Sequence, residues 1–453
     1  MVVLQESLSK LNSFLQMLGK TIVAPASAPG RGGVSVIRMS GADAKTIAEN
    51  MCGSLANSWK FKKCKIKSVD GAVLDSGLVV FFESPHSYTG EDVVEFHCHG
   101  NPTIVNLIVE DAVKRGAVIA EPGEFTKNAF LNDKIDLAQA ESVADLINAQ
   151  SKSAVIAANS SLSGNFSSSV DFIIEGLVRT RVMIEAHIDF PEEEIGSGLL
   201  DNISNELSGF SKDIDRLLAE AVRSLRLRES YRVCIVGLPN AGKSTLLNTI
   251  AKESLAITSS TPGTTRDLVR ADIDLGGVVV EFVDTAGIRE NPDNSIEREG
   301  MQRSLSAIET SNLNLIIKDI TDTDSLDIEI DNFLTVMNKC DLVKDEVFKK
   351  KDVMYVSSLT GQGISELIEE ILARLGVDEG SETPFLARKR HQVSLGEALY
   401  FVNLSIQEVK RSAGLELIAE NLRLAHESLG EVLRPMSSDD LLGEIFSKFC
   451  IGK

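Results

Sequence analysis

Residues 237–244 read Gly237-Leu238-Pro239-Asn240-Ala241-Gly242-Lys243-Ser244 and fit the phosphate-binding pattern G-x-x-x-x-G-K-[ST]. An apolar run, Val233–Val236, precedes the motif, and a helical run, Ser244–Ala251, follows it, as the pattern requires. The glycines allow backbone N–H groups to wrap phosphates, Lys243 would neutralise the β- and γ-phosphates, and the Ser244 hydroxyl would bind Mg²⁺. The motif therefore predicts an α/β domain that binds a nucleoside triphosphate.

Three further motifs follow in the order expected of a GTP site. Gly263-Thr264-Thr265-Arg266-Asp267 supplies a threonine for the metal, and Asp284-Thr285-Ala286-Gly287 ends the apolar run Val278–Val283 after a turn at Gly276-Gly277. In Asn338-Lys339-Cys340-Asp341, the carboxylate of Asp341 would accept the N1–H and 2-amino groups of guanine, which adenine lacks. Ser357-Ser358-Leu359 completes the base pocket.

The predicted GTP site is extensive, and Ser244 and Thr265 are its predicted Mg²⁺ ligands. Its residues are Asn240, Ala241, Gly242, Lys243, Ser244, Thr245, Ser259, Ser260, Thr261, Pro262, Gly263, Thr264, Thr265, Asp284, Thr285, Ala286, Gly287, Asn338, Lys339, Cys340, Asp341, Ser357, Ser358 and Leu359.

The position that orients the attacking water in Ras-like GTPases holds Ile288, which has no polar group for that task. Two residues are candidates for the missing catalytic contribution. The side-chain oxygen of Asn240 is suited to bind a monovalent cation between the phosphates, and Glu297 is suited to position water. For Glu297 the spacing alone favours the alternative of a solvated helix residue.

The regions that flank this α/β segment differ from it in composition and hydrophobic pattern. Residues 21–130 contain short β-rich runs punctuated by glycine, at Thr21–Ala24, Val34–Arg38, Leu78–Phe82 and Val93–His97. Residues 134–229 and those beyond Arg390 are helical in pattern, with apolar residues at helical spacing. We interpret them as one helical domain into which the α/β domain is inserted; two independent helical pieces are the alternative.

Composition narrows the class of protein. The chain has 453 residues, 43% of them hydrophobic, and a net charge of −20, so any RNA contact must be local or supplied by a partner. The six cysteines form no C-x-x-C pair, which indicates reduced thiols and a cytosol-like compartment. No apolar run reaches the roughly 18–20 residues of a membrane span, and residues 1–20 resemble a short amphipathic helix rather than a secretory signal.

Two local clusters each allow two interpretations. His97-Cys98-His99 has potential metal ligands, but alternate residues of a strand point to opposite faces, which favours histidines at a strand end. Around Trp59 lies a basic run that either contacts RNA or, as the pattern favours, forms a solvated strand edge. Its members are Lys60, Lys62, Lys63, Lys65 and Lys67.

With the ends of the chain included, the motifs from Thr21 to Lys453 resemble the tRNA-modifying GTPase family MnmE (also called TrmE). The resemblance is carried by Pro29-Gly30-Arg31-Gly32-Gly33, Arg38-Met39-Ser40-Gly41, Tyr88-Thr89-Gly90-Glu91-Asp92, Pro122-Gly123-Glu124-Phe125-Thr126, Ala129–Leu137, Ile188-Asp189-Phe190-Pro191 and the final Phe449-Cys450-Ile451-Gly452-Lys453.

The resemblance implies a multidomain fold, α/β plus all-α. After an extension at 1–20, it places a folate-binding-like α/β domain at 21–137, a helical domain at 138–229 and 386–453, and an inserted Ras-like P-loop GTPase domain at 230–385. It also implies a homodimer built through the amino-terminal domains. A site for 5-formyl-tetrahydrofolate or a related one-carbon folate would use Arg38, Glu95, Lys134 and Lys453, with Cys450 as a catalytic residue beside it.

The same resemblance implies K⁺-dependent GTP hydrolysis, with the ion held by Asn240, Ser259, Thr261 and Thr264. It implies a heterocomplex with the FAD-dependent protein MnmG that adds a carboxymethylaminomethyl-type group to the wobble uridine of certain tRNAs. Bacterial cytosol or an organelle matrix would suit this activity. A ribosome-assembly or tRNA-binding GTPase without modification chemistry is the alternative, and it would have no use for a folate site. The chain departs from the usual family pattern at Ser259–Pro262 and at Ser358-Leu359. The stretch Lys318–Asn332 is also short, and residues 1–20 precede the usual family start.

Overall fold

The computed structural model describes residues 19–189, 199–228, 231–253, 255–256, 269–284, 305–322, 331–343, 353–377, 383–411, 414–434 and 439–452. The chain divides into two compact units, one formed by residues 1–144 with 429–453 and the other by residues 145–428. None of the described helices combines the length and the apolar character needed to cross a membrane. The domain boundaries given above stay a prediction.

The first unit contains a six-stranded sheet in the order β3-β4-β5-β2-β1-β6. Its strands are β1 (Ile22–Pro25), β2 (Gly32–Ser40), β3 (Lys62–Lys67), β4 (Val73–Phe82), β5 (Val93–Gly100) and β6 (Val118–Ile119). All neighbours are antiparallel except β1 and β6, which run parallel. The four strands predicted in this region are confirmed. Strand β2 begins at Gly32, inside the glycine-rich stretch Pro29–Gly33, and the two-residue β6 was missed because it is too short to show alternation.

One face of this sheet carries the core of the unit. Helices α1 (Ala44–Cys52) and α2 (Pro102–Lys114) pack against alternate strand residues such as Ile37, Phe96 and Ile66. Residues paired across antiparallel strands share a face, so the opposite face carries the alternate set, including Arg38 opposite Glu95 and Leu78 opposite His97. Arg38, Glu95 and His97 therefore lie on the face away from α1 and α2.

The last described residues belong to this first unit. Helix α3 (Glu124–Leu131), the start of α4 (Leu137–Asn148) and helix α12 (Asp439–Ser447) share a small apolar cluster around Phe446. Ile451 forms an antiparallel bridge with Pro122, and a β-carbon on Gly452 would lie 1.8 Å from the carbonyl oxygen of Pro25. The carboxy-terminal segment is thus packed at the end of β1, the neighbour of β2.

The second unit contains a seven-stranded sheet in the order β13-β12-β11-β7-β10-β9-β8. Its strands are β7 (Tyr231–Gly237), β8 (Leu255–Ala256), β9 (Val269–Leu275), β10 (Val278–Asp284), β11 (Leu313–Asp319), β12 (Phe333–Asn338) and β13 (Val353–Tyr355). The strands from β13 to β10 are parallel, and β8 and β9 are antiparallel additions. The predicted α/β domain is confirmed, and so is its hairpin turn, in which Gly276 and Gly277 both have positive φ.

Helices α8 (Lys243–Glu253) and α9 (Ile364–Arg374) pack on this sheet, and a further group of helices in the unit forms a bundle. The bundle consists of α5 (Lys152–Leu162), α6 (Asn165–Asp189), α7 (Leu199–Arg228), α10 (Lys389–Lys410) and most of α11 (Leu415–Leu433). Segments before and after the α/β domain are joined directly, since the N–H of Leu386 donates to Ser161 at 2.9 Å and that of Ala387 donates to Ser224 at 2.8 Å. A β-carbon on Gly277 would meet Ser153 Oγ at 2.3 Å, so the hairpin lies directly against the start of α5.

Candidate functional site

The predicted phosphate-binding loop lies between the end of β7 and the first turn of α8, at the carboxyl edge of the parallel strands. Gly237 allows close packing, because a β-carbon there would lie 2.4 Å from the carbonyl oxygen of Ile317. Asn240 has a φ of 67°, a left-handed conformation that asparagine tolerates better than most residues. Ser244 and Thr245 are exposed on the first turn of α8, where the N–H groups of a helix attract anions.

Lys243 is held inside the loop. Its amino group donates to the carbonyl oxygens of Gly237 at 2.9 Å and Leu238 at 3.0 Å. Burial lowers the pKa of Lys243, while the nearby charge of Asp284 acts in the opposite direction. A buried ammonium group whose present partners are two neutral carbonyls is well placed to bind a phosphate oxygen, which would offer it full negative charge.

A pair of oxygen-bearing side chains next to Lys243 fits a magnesium ion. The hydroxyl of Ser244 donates to Asp284 Oδ2 at 2.7 Å. The other carboxylate oxygen, Asp284 Oδ1, is buried and has no hydrogen-bond partner among the described residues. A buried anionic oxygen needs a compensating charge or donor, and Mg²⁺ prefers carboxylate, hydroxyl and water oxygens. Asp284 and Ser244 would therefore hold the ion directly or through water.

The base-recognition motif is joined to the phosphate loop through Asn338. Its side-chain amide donates to the carbonyl oxygen of Ala241 at 2.8 Å, and its carbonyl accepts from the N–H of Ser358 at 3.0 Å and from its hydroxyl at 2.8 Å. Asn338 is 1% exposed, so all three bonds are shielded from water. These three hydrogen bonds fix the phosphate loop and the last base motif relative to each other.

Lys339 and Asp341 flank the position expected for the base. Lys339 has a φ of 63°, and its amino group donates to Asp319 Oδ2 at 2.6 Å. Burial tends to raise the pKa of Asp319, but hydrogen bonds from Lys339 and Thr321 outweigh it, so that the pKa lies below its ordinary value. Asp341 is exposed and available to a ligand, whereas Cys340 is buried and donates its N–H to Val356.

The last base motif is split between packing and solvent. Ser357 and Ser358 are buried, and the carbonyl of Ser358 accepts a hydrogen bond from Thr249 on α8. Leu359 is 84% exposed, which leaves its side chain free to cover one face of a bound base.

Several predicted site residues lie outside the described residues. These are the cation-loop residues Ser259, Ser260, Thr261, Pro262, Gly263, Thr264 and Thr265, then Thr285, Ala286, Gly287, Ile288 and Glu297, and finally Lys453. Their assigned roles in binding K⁺, Mg²⁺, water and folate stay predictions.

Two of the candidate folate residues, Arg38 and Glu95, lie part-buried on the face of the first sheet away from α1 and α2. Arg38 Nε donates to Glu95 Oε1 at 2.9 Å across the paired strands β2 and β5. The guanidinium of Arg38 also lies 5.1 Å from the ring centre of Tyr88 and 5.8 Å from that of Phe125, within cation–π range. The hydroxyl of Tyr88 and Thr126 Oγ1 are hydrogen-bonded at 2.8 Å. The sequence motifs contain Tyr88 and Phe125, but only the fold shows that they position Arg38.

Lys134 lies against the segment that contains Tyr88. Its amino group donates to the carbonyl oxygen of Pro85 at 3.0 Å, and a β-carbon on Gly90 would meet its side chain at 3.2 Å. Cys450 is exposed, and its carbonyl accepts from the N–H of Gly123 at 3.4 Å. The structure brings Arg38 and Glu95 together and attaches Lys134 and Cys450 to segments of the same unit.

The two histidines of the His97-Cys98-His99 stretch are each paired with a carboxylate. His97 Nε2 lies 3.4 Å from Glu95 Oε2, and His99 Nδ1 lies 2.8 Å from Asp75 Oδ1, while Cys98 points into the core. Among the described residues, no group of three or more histidine, cysteine, aspartate or glutamate side chains is arranged to hold a metal ion.

Comparisons with known proteins match most of the length of the chain. A family model described as the MnmE helical domain matches residues 137–450, and one described as the GTP-binding protein TrmE N-terminus matches residues 21–134. The tRNA modification GTPase MnmE of Bordetella parapertussis is 41% identical over 445 residues, which cover 95% of this chain and 99% of the relative. Its counterpart in Neisseria gonorrhoeae is 42% identical over 448 residues, covering 96% and 99%. Among solved structures, the G domain of the T. maritima FeoB iron transporter is 19% identical, covers 32% of this chain and 99% of its own, and has a TM-score of 0.24.

Proposed function

The chain belongs to the MnmE family of tRNA modification GTPases, and from this premise we propose how it works. We propose that K⁺ activates its GTP hydrolysis. Together with an FAD-dependent MnmG-type partner it adds a carboxymethylaminomethyl-type group to C5 of the wobble uridine of certain tRNAs, in a bacterial cytosol. The observation that carries the proposal is the presence, in one chain, of a complete phosphate-loop geometry and of the separate Arg38–Glu95 site.

In this proposal the nucleotide lies across the amino terminus of α8. Backbone N–H groups and Lys243 bind the phosphates, and Ser244 with Asp284 holds Mg²⁺. The metal supplies positive charge that stabilises the negative charge developing on the phosphate oxygens. Asp341 accepts hydrogen bonds from guanine, while Asn338 keeps the base motif in register with the phosphate loop.

Ile288 has no polar group with which to assist hydrolysis. In this proposal a potassium ion provides that assistance. Asn240 and oxygens of Ser259, Thr261 and Thr264 would bind it, so that its charge would offset the negative charge that develops on the oxygen bridging the β- and γ-phosphates. The exposure of Asn240 on the outer side of the loop supports this role. Glu297 would position the attacking water.

The amino-terminal unit would bind a one-carbon folate such as 5-formyl-tetrahydrofolate. Cationic Arg38 and Lys134, with Lys453, suit the carboxylates of a folate, and Glu95 suits the N–H donors of its pterin ring. Tyr88 and Phe125 hold the guanidinium of Arg38 in place. Cys450 would act beside this site, and two chains would pair through their amino-terminal domains.

A comparison of salts tests the cation mechanism. GTP hydrolysis should be fast in K⁺ and slow in Na⁺ at matched ionic strength, because oxygen ligands fixed for the larger ion do not close around the smaller one. Asn240→Ala should bring the rate in K⁺ down to the rate in Na⁺. Asn248→Ala removes the same kind of side chain from an exposed position on α8 and should behave as the wild type. Equal wild-type rates in the two salts would contradict the proposal.

Mass spectrometry of wobble uridines tests the modification. Cells that lack the protein should lose the modified nucleoside, and the wild-type chain should restore it. Arg38→Ala should fail to restore it while keeping GTP hydrolysis, whereas Arg179→Ala, at an exposed helix position, should restore it. If the nucleoside is unaffected by loss of the protein, the alternative of an assembly or tRNA-binding GTPase gains support.

A further inference from the structure

Strand β3 forms one edge of the first sheet and carries an unusual set of side chains. We use the name lysine–tryptophan surface for Trp59, Lys60, Lys62, Lys63, Lys65 and Lys67. Cys64 and Ile66 point into the core, so Lys63, Lys65 and Lys67 point to the opposite face and are exposed. Alternate residues of a strand are spaced by about 7 Å, and the three ammonium groups therefore form a line rather than a cluster.

These lysines have no carboxylate partner among the described residues. None of them forms an ion pair with any of the described residues, and Lys62 donates to a hydroxyl, Ser54 Oγ, at 3.1 Å. The residues paired with the exposed lysines across the sheet are uncharged, Leu78 with Lys63, Ser76 with Lys65 and Val73 with Lys67. In a chain with a net charge of −20, a stripe of unpaired positive charge is a local exception.

Trp59 stands directly before this stripe in an uncommon conformation. Its φ is 66°, which is rare for a bulky residue, and the turn is held by hydrogen bonds from the Trp59 N–H to Phe81 at 2.8 Å and from the Lys60 N–H to Asn57 at 3.1 Å. The indole contacts Phe82 in a T-shaped arrangement with ring centres 4.7 Å apart, yet the residue is 64% exposed. Backbone strain of this kind is concentrated at functional positions, and here it displays a large aromatic ring to solvent.

Protection of an exposed strand edge accounts for part of this pattern but not for all of it. Lysines on edge strands prevent pairing with other chains. An exposed tryptophan beside them has the opposite effect, because it offers apolar surface for association. A line of lysines with an adjacent aromatic ring is instead the combination by which proteins bind single-stranded nucleic acid, with cations on the phosphates and a base stacked on the ring.

We propose that the lysine–tryptophan surface binds an unpaired segment of the tRNA substrate. Lys63, Lys65 and Lys67 contact successive phosphates, and Trp59 stacks on one base. The proposal rests on the proposed function, which supplies tRNA as the partner. It adds to that function a binding surface at the edge of the amino-terminal sheet, separate from the nucleotide site.

The experiment uses the full-length chain and unmodified tRNA transcripts. Trp59 is the single tryptophan of the sequence, so intrinsic fluorescence reports on this surface alone, and tRNA should quench it. By fluorescence anisotropy of labelled tRNA, Lys63→Gln/Lys65→Gln should weaken binding roughly 10- to 50-fold at about 0.1 M salt. The slope of log affinity against log salt should fall by roughly 1.4–1.8, as expected for two lost phosphate contacts. The matched control Lys252→Gln/Lys410→Gln removes two exposed lysines of the other unit and should change neither quantity.

A second variant tests the aromatic ring. Trp59→Gly removes the indole and places the residue that best tolerates a φ of 66° at this turn, so the fold should be kept. It should weaken tRNA binding by about 5- to 150-fold, the loss of one stacked base at roughly 1–3 kcal/mol. All variants should hydrolyse GTP at the wild-type rate.

The outcomes separate this surface from the proposed function. Wild-type affinity and salt dependence in Lys63→Gln/Lys65→Gln, or tRNA binding without quenching, would overturn the surface while leaving tRNA modification intact. A shift from dimer to monomer in that variant, measured by sedimentation, would reassign the surface to contacts between copies of the chain. Absence of tRNA binding by the wild type would overturn the proposed function and this surface with it.

Discussion

Replacement of Asn338 by alanine should reduce both the stability of the nucleotide domain and its affinity for GDP. The change removes three buried hydrogen bonds, one to Ala241 in the phosphate loop and two to Ser358 in the last base motif. At about 0.5–1.5 kcal/mol net for each bond, the loss is roughly 2–4 kcal/mol. These bonds hold together two segments that contact the same ligand. The binding free energy for GDP should therefore fall by up to the same amount, which corresponds to a rise in Kd of roughly 30- to 900-fold.

Calorimetric titration with GDP measures the affinity, and urea unfolding followed by circular dichroism measures the stability. Asn314→Ala is a closely matched control. Asn314 is 2% exposed and lies on the neighbouring strand β11, near its start. It also forms three hydrogen bonds. Its Nδ2 donates to the carbonyl oxygens of Asp331 at 3.1 Å and Ile308 at 3.4 Å, and its Oδ1 accepts from the hydroxyl of Ser311 at 2.9 Å.

Asn314→Ala should lower stability by a similar amount with little effect on GDP affinity, because its partners lie at the opposite end of the strands. If both variants bind GDP equally well, Asn338 does not link the base motif to the phosphate loop.

Three further changes have distinct expected results. Asp341→Asn should weaken the binding of GTP and favour that of xanthosine triphosphate, since the amide offers a hydrogen-bond donor where the carboxylate accepted. Continued preference for GTP in competition binding would show that Asp341 does not recognise the base. Arg38→Ala should lose most of the calorimetric signal with 5-formyl-tetrahydrofolate, and unchanged affinity would contradict a folate role. The pKa of Asp319 is held below its ordinary 3.8 by Lys339 and Thr321, so its contribution to stability is present above that pH and lost as pH falls. Asp319→Asn should therefore flatten the dependence of the urea midpoint on pH below about 4, and parallel curves would contradict this.

The nucleotide domain could be predicted from the sequence because its signals are local. The phosphate loop, the strand before it and the helix after it are contiguous, and each later motif directly follows an apolar strand. The hydrogen bonds of Asn338 were not predicted, since Asn338 and Ala241 are 97 residues apart and meet only when β12 takes its place in the sheet. The support of Lys339 by Asp319 depends in the same way on the pairing of β11 with β12.

The amino-terminal site could be predicted from the family resemblance, but not from residue spacing in the sequence. Arg38 and Glu95 lie on strands whose pairing is not implied by their order in the chain, and no spacing rule connects them. Nothing in the local sequence indicates that Tyr88 and Phe125 flank the guanidinium of Arg38. The strand edge at Lys62–Lys67 was anticipated from its lysines, but the positive φ of Trp59 is a tertiary feature, fixed by Phe81.

The packing of residues 429–452 into the amino-terminal unit has a consequence for biosynthesis. A ribosome makes residues 1–144 first and then the whole of the other unit before it reaches the segment that bridges to Pro122 and packs on Pro25. At about 5–20 residues per second, the delay is roughly 15–60 s. During this interval the apolar residues around Phe130 and Leu137 await Phe446 and Phe449. The nascent amino-terminal unit is thus suited to a chaperone that shields hydrophobic surface until residues 439–452 have been synthesised.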